Sequence, residues 1–300
     1  MLVIILMLAA IECFLNLKAS NISSNFSKIK ALKSNKVFVD HEAESSKNKQ
    51  KVLFLGNSYQ IFGLDKKKIN TNFASKYNIE YIDFIGSQIA DWYWIYRNFV
   101  SDTPNSPIEI FIPITWYNLV EGKDLNIRRL ARIVSWTDSI DVSENNLVGF
   151  KQKTDFLLSK LFITYCLKDS VKKKVLTYFI PNYKFVTRLI NEEGKKLVES
   201  QSKCSKMKIS YNTLNRFLKL VQTRGDNVTF IYMPRKGIDK NGIKKQIAYF
   251  NKHNINYINA ISFVDINEKN FIDPAHMSES GAKIFTRKLI KILPSYLYKK

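Results

Sequence analysis

The chain has 300 residues, with 47 Lys and Arg against 26 Asp and Glu, a formal net charge of +21, and three cysteines. That charge invites a nucleic-acid surface, but the lysines are dispersed, and clusters such as Lys66-Lys67-Lys68 and Lys172-Lys173-Lys174 read as solvated helix faces, so no nucleic-acid partner is expected. Attraction to anionic lipid headgroups or acidic surface polymers is the more useful consequence, and without paired Cys or His spacing neither a metal nor another cofactor is expected.

In chain order, residues 1–17 are apolar at all but Glu12 and Asn16 and are followed by Lys18. A core helix would have to bury nearly every face, so an export signal or single membrane anchor over 1–18 is the better reading. The remainder would then lie outside the cytoplasm, and a membrane would be a partner. The Ser/Asn/Lys-rich residues 19–50 read as a flexible tether. Cys13 falls in the apolar run, leaving Cys166 and Cys204 as a bridge that an exported protein could form, although nothing in their spacing demands it.

From residue 51 the pattern alternates between strands and helices. Residues 51–56 form a short apolar strand entering the turn Gly56-Asn57-Ser58. Residues 65–77 carry Ile69, Phe73 and Tyr77 at helical spacing; 80–86 read as a second strand, 89–100 as a helix and 108–114 as a third strand. Strands four and five are expected at 227–234 and 256–260, and a terminal helix at 278–293. This alternation predicts an α/β three-layer sandwich with a mainly parallel sheet. Residues 119–226 exceed the needs of a crossover. They read as a largely helical insertion that shapes a cleft or rests on a membrane surface, or as an elaborated crossover without a substrate role.

Two segments far apart carry chemistry. Ser58 would emerge at the carboxyl end of the first strand, where open α/β sheets place ligands. Near the other end lies Asp273-Pro274-Ala275-His276. A serine hydroxyl needs a base within hydrogen-bonding reach, and of three histidines only His276 has a fitting context, since His41 lies in the tether and His253 in a Lys/Asn-rich segment. Asp273 can bond the far ring nitrogen and fix the tautomer. Each also has a plainer reading: a turn serine, a helix-start histidine and an Asp-Pro turn.

Strand-Gly-Asn-Ser, a second strand ending in Gly86, a third strand leading to an Asn-containing turn, and Asp-x-x-His before a Gly-containing helix resemble the SGNH (GDSL-like) hydrolase superfamily. The resemblance covers about 51–118 and 227–293, and within it the exported DUF1574 and polysaccharide O-acetyltransferase-like branch. It implies an SGNH/flavodoxin-like sheet and a serine acyl-enzyme that transfers acetyl to, or removes it from, a cell-surface polysaccharide. A membrane acyl-donor protein would be a further partner. It also implies an oxyanion hole from the backbone amides of Ser58 and Gly86 and an asparagine after strand three. Here the chain departs from the family pattern: Pro113-Ile114-Thr115 stand where Gly-x-Asn is expected, and the nearest asparagine is Asn118. Either Asn118 reaches through a longer turn, or Thr115 or Trp116 replaces it, or the hole is incomplete. The alternative from another class is a catalytically silent SGNH-like domain that binds glycan or assists a cell-envelope assembly partner.

Overall fold

The computed structural model describes residues 2–34, 49–101, 107–119, 125–180, 211–236 and 240–297. The expected tether beyond residue 34, His41, Cys204 and the insertion from 181 to 210 lie outside the described residues. The chain divides into two compact units. One joins 1–31, 127–132 and 148–210; the other holds 32–126, 133–147 and 211–300.

The larger unit is built on five parallel strands, β1 (Gln50–Gly56), β2 (Tyr77–Asp83), β3 (Ile108–Ile114), β4 (Asn227–Tyr232) and β5 (Asn256–Asn259), in the order β2-β1-β3-β4-β5. Every residue of β3 is buried, as a strand covered on both faces requires. Leaving β1, the chain winds first to one side, to β2, and then to the other, to β3. The crevice between β1 and β3 is therefore the topological switch point of the sheet, where such folds place their ligands. The β1–β3 ladder runs from Lys51 and Ile108 to Phe54 and Phe111 and ends two residues before Pro113, which has no N–H to donate. On the other side β3 stays paired with β4 through Ile114.

The helices of this unit include α3 (Ser58–Gly63), α4 (Lys66–Phe73), α5 (Ile89–Ile95), α7 (Ser139–Asn145), α10 (Asn212–Thr223), α11 (Lys240–Lys252) and α12 (Glu279–Ile292). A π-helical turn, Tyr96–Val100, extends α5, so the helix expected over 89–100 changes its winding midway. Phe54, Ile69, Phe111, Ile231, Phe285 and Leu289 meet in one core cluster that joins the sheet to α4 and α12. Fully burying a side chain of this kind stabilises by about 1.5–3 kcal/mol. Around the rim, Arg97 pairs with Asp138 and Asp141, and Arg216 with Asp141. These pairs bind α7 and α10 to this unit although both come from the stretch expected as an insertion.

The smaller unit contains α1 (Leu2–Ile22), the start of α2 (Ser24–Ser34), α6 (Ile127–Ile133) as far as Arg132, α8 (Gly149–Leu161) and α9 (Ile163–Phe179). It does not support the expectation of a membrane helix: among the described residues no helix is long and apolar enough to cross a membrane. The helix continues past the apolar run through Lys18 to Ile22 and uses one face to pack. Glu12 accepts hydrogen bonds from the backbone amides of Ile163 and Thr164, and Ala19 is buried against Ile163 and Leu167. Composition cannot separate a helix apolar on both faces from a membrane span. The partner of its inward face lies about 150 residues away in sequence. Part of the supposed tether is likewise helical, in α2. Cys166 is buried with its thiol toward the Arg128 carbonyl.

Candidate active site

Two chain segments converge at the carboxyl end of β1. In the first, β1 ends at Gly56 and α3 begins at once. A Cβ on Gly56 would lie 2.5 Å from Oε1 of Gln60, so only glycine lets the first turn of α3 fold this close to the strand. Gln60 is fully buried and donates to the carbonyls of Phe54 and Ile82 at 3.3 and 3.5 Å, pinning α3 to β1 and β2. Asn57, also buried, caps the helix: Oδ1 accepts from Tyr59 N at 2.9 Å, and Nδ2 donates to the Ser87 carbonyl at 3.2 Å. Both ends of the Asn57 amide thus hold backbone, and the half-buried Ser58 beside it is presented by a fixed turn.

The loop after β2 docks onto that turn. Phe84 N and the Ser87 hydroxyl both donate to the Gly56 carbonyl, at 3.1 and 2.8 Å, and Trp92 Nε1 donates to Ser87 Oγ at 3.0 Å. Ser87 N closes a four-residue turn onto Phe84 O at 3.0 Å. Gly86 occupies its third position with φ of 70°, the left-handed conformation that a type II turn needs there. Gly86 is thereby placed one residue from the atoms that bond Gly56 and Asn57.

The second segment precedes α12. Phe271 and Met277 form an isolated bridge, and Ile272 N donates to the His276 carbonyl at 3.0 Å, making a tight loop of 272–276. Inside it Asp273 serves two functions. Oδ1 accepts from the amides of Ala275 and His276 at 2.7 and 2.8 Å, while Oδ2 lies 2.7 Å from His276 Nδ1. His276 Nε2 lies 2.9 Å from Ser58 Oγ, across 218 positions of sequence. The rings of Phe62 and Tyr59 stand 4.9 and 5.9 Å from the imidazole and restrict its rotation. Lys236 N, beyond β4, donates to the Pro274 carbonyl at 2.8 Å and steadies the loop from the sheet side. Partial burial raises the Asp273 pKa, but hydrogen bonds from the His276 ring and from the Ala275 and His276 amides, with the histidine's charge, outweigh it and hold the carboxyl below its ordinary value. An ionised Asp273 fixes Nδ1 as the protonated nitrogen, leaving Nε2 to accept from Ser58.

Of the residues singled out in the sequence, Ser58, His276 and Asp273 are therefore brought into one hydrogen-bonded line. Asn118 sits in the turn after β3, the strand adjacent to β1, and is buried. Its Oδ1 accepts from Thr115 N and Thr115 Oγ1 at 2.8 and 3.0 Å. This fixes the plane of the amide and turns Nδ2 away from Thr115. Thr115 is the partner of Asn118, not its substitute, and the Trp116 carbonyl accepts from Gln246. The sequence alone singles out neither Gln60 nor Ser87, and it places Trp92 only on the apolar face of the helix expected over 89–100. A buried glutamine four residues after a strand-ending glycine was the one signal, and the partners of Ser87 are visible only once β1 and β2 are paired.

No family model matches the chain, and no curated protein matches it. Solved structures do. A lipase/acylhydrolase from Enterococcus faecalis aligns over 82% of this chain and 96% of its own, with 10% identity and a TM-score of 0.40. A GDSL-like lipase from Bacteroides thetaiotaomicron aligns over 88% and 99%, with 10% identity and a TM-score of 0.41. An acetyl xylan esterase from Geobacillus stearothermophilus aligns over 82% and 95%, with 9% identity and a TM-score of 0.38.

Proposed function

We propose that the protein is a serine acyl-ester enzyme in which Ser58 is the nucleophile, His276 the general base and acid, and Asp273 the group that orients and stabilises the imidazole. The observation that carries this reading is the continuous line from Ser58 Oγ through His276 to Asp273, with contacts of 2.9 and 2.7 Å. His276 Nε2 takes the proton as Ser58 Oγ attacks the acyl carbonyl, and the C=O π pair moves onto oxygen. The Ser58 and Gly86 amides, with Asn118 Nδ2, are the donors assigned to that oxyanion. Collapse of the intermediate expels the alcohol, which receives the proton from His276 and leaves an ester on Ser58. Water or an acceptor hydroxyl, deprotonated by the same nitrogen, then attacks the acyl carbon; the bond to Ser58 Oγ breaks, His276 returns the proton to Oγ, and the acyl group leaves as the acid or the new ester.

The finer part of the proposal is that the group is acetyl and that the alcohol or acceptor is a hydroxyl of a cell-surface polysaccharide. Its support is the family resemblance of the Gly-Asn-Ser and Asp-x-x-His segments. Ser58→Ala in the full chain, assayed with a chromogenic acetyl ester, is expected to lower turnover by about a thousandfold or more. Unchanged turnover would remove the triad, whereas no turnover by the native chain itself would favour a silent glycan-binding domain.

A further inference from the structure

The helical unit leaves outward a set of apolar side chains that its own packing does not use. On α1 the inward face is set by Glu12, Leu15, Ala19 and Ile22, which meet α9 or its cluster. On the opposite face Leu6, Phe14 and Leu17 are 60, 59 and 76% exposed. At about 100° per residue these three fall within a quarter-turn of the helix, and the other exposed positions of α1 among the described residues are apolar apart from Asn16, Lys18 and Asn21, the last two toward its carboxyl end. A second helix of the same unit repeats the pattern. Phe150, Leu157 and Leu161 of α8 are 86, 51 and 51% exposed and recur at i, i+7 and i+11, so they form one ridge, with the exposed Lys151 and Lys153 on its flanks.

The charge of this unit indicates what covers these faces. Its described acids are each engaged: Glu12 with the Ile163 and Thr164 amides, Asp155 with the Tyr165 hydroxyl and Asp169 with Arg128. Lys18, Lys151, Lys153, Lys168 and Lys172 to Lys174 are all exposed. Pairing two copies through these faces would bring like charges together. Outward apolar ridges bordered by lysines match instead an anionic bilayer surface, where apolar side chains enter the acyl boundary and ammonium groups meet lipid phosphates.

We infer that the helical unit docks peripherally on anionic lipid, with α1 and α8 lying in the headgroup layer and not crossing it. The inference does not rest on the ester chemistry of Ser58. Its test is co-sedimentation of the full chain with vesicles of phosphatidylcholine, with and without phosphatidylglycerol. Two surface variants are compared, Phe14→Asp with Leu17→Asp, and Phe150→Asp with Leu161→Asp, each checked for folding by circular dichroism. The expected result is binding that needs phosphatidylglycerol, weakens with salt, and falls by about tenfold or more in each variant, since two buried apolar side chains are lost from the bound state. Ser58-dependent turnover of a soluble ester should be unaltered in both. Absence of vesicle binding, or binding that both variants retain, overturns the inference. So does a self-associated chain that the variants convert to monomer without any effect on vesicles, which would assign the faces to a second copy.

Discussion

Two asparagines, Asn57 after β1 and Asn118 after β3, occupy neighbouring turns at the same end of the sheet and are used differently. Asn57 has both ends of its amide bonded to backbone, at Tyr59 and Ser87, so its contribution is wholly to hold the turn that presents Ser58. Asn118 has its oxygen bonded to Thr115, which aims its nitrogen elsewhere. A buried asparagine can therefore be a strut or a fixed donor, and which one it is depends on whether Nδ2 is already bonded to backbone, as it is in Asn57. The nucleophile side of the site is closed by hydrogen bonds in a continuous line; on the side of β3 the Asn118 amide is oriented by Thr115.

The largest effect should come from the closed side. Asp273→Asn keeps the shape of the loop but offers His276 Nδ1 an amide in place of a carboxylate, and kcat for a chromogenic ester should fall by about 10⁴-fold. A loss under tenfold would mean that Asp273 serves the 272–276 loop alone. Next comes the open side. Asn118→Ala leaves the buried Thr115 N–H without its partner, which should cost about 1–3 kcal/mol in a denaturation experiment. If Nδ2 donates to the oxyanion, kcat should also fall by about 10²-fold or more with KM little changed. Lost stability with kcat intact would make Asn118 a strut like Asn57. The smallest effect is in pH dependence. Because the folded-state pKa of Asp273 is depressed, its contribution to stability is complete above the ordinary carboxylate range and is lost as pH falls through the lower folded value. The stability difference between the native chain and Asp273→Asn should persist through mildly acid pH and vanish only in strong acid. A difference that disappeared nearer neutrality would contradict the depressed pKa.

Much of the sheet was legible because its strands are short apolar runs bounded by turn residues; β3 begins and ends where the pattern places it, at 108 and 114. The second strand starts earlier than expected, at Tyr77, because its pairing with Gln50 sets the register and its own residues do not. Ser58, Asp273 and His276 could be singled out because their chemistry depends on residue type and on local spacing. The supports at Gln60, Ser87 and Trp92 could not, since each acts on a carbonyl or hydroxyl brought near by tertiary pairing. Asn118 lay between these cases: its type and position were visible, but the partner that fixes its amide was not. The packing of the amino-terminal helix, read in the sequence as an export signal or membrane anchor, was not visible for the same reason, since its inward face meets Ile163 and Leu167, far along the chain.

The central claim is that Ser58 is acylated with His276 as its base. The most direct measurement is intact-protein and peptide mass spectrometry after brief exposure of the full chain to an activated acetyl ester with acid quench. The account predicts one acetyl group on the peptide containing Ser58, formed rapidly in the native chain and slowed by about a thousandfold or more in His276→Ala. Acetyl found only on lysines, or on Ser58 at the same rate in both proteins, would contradict it.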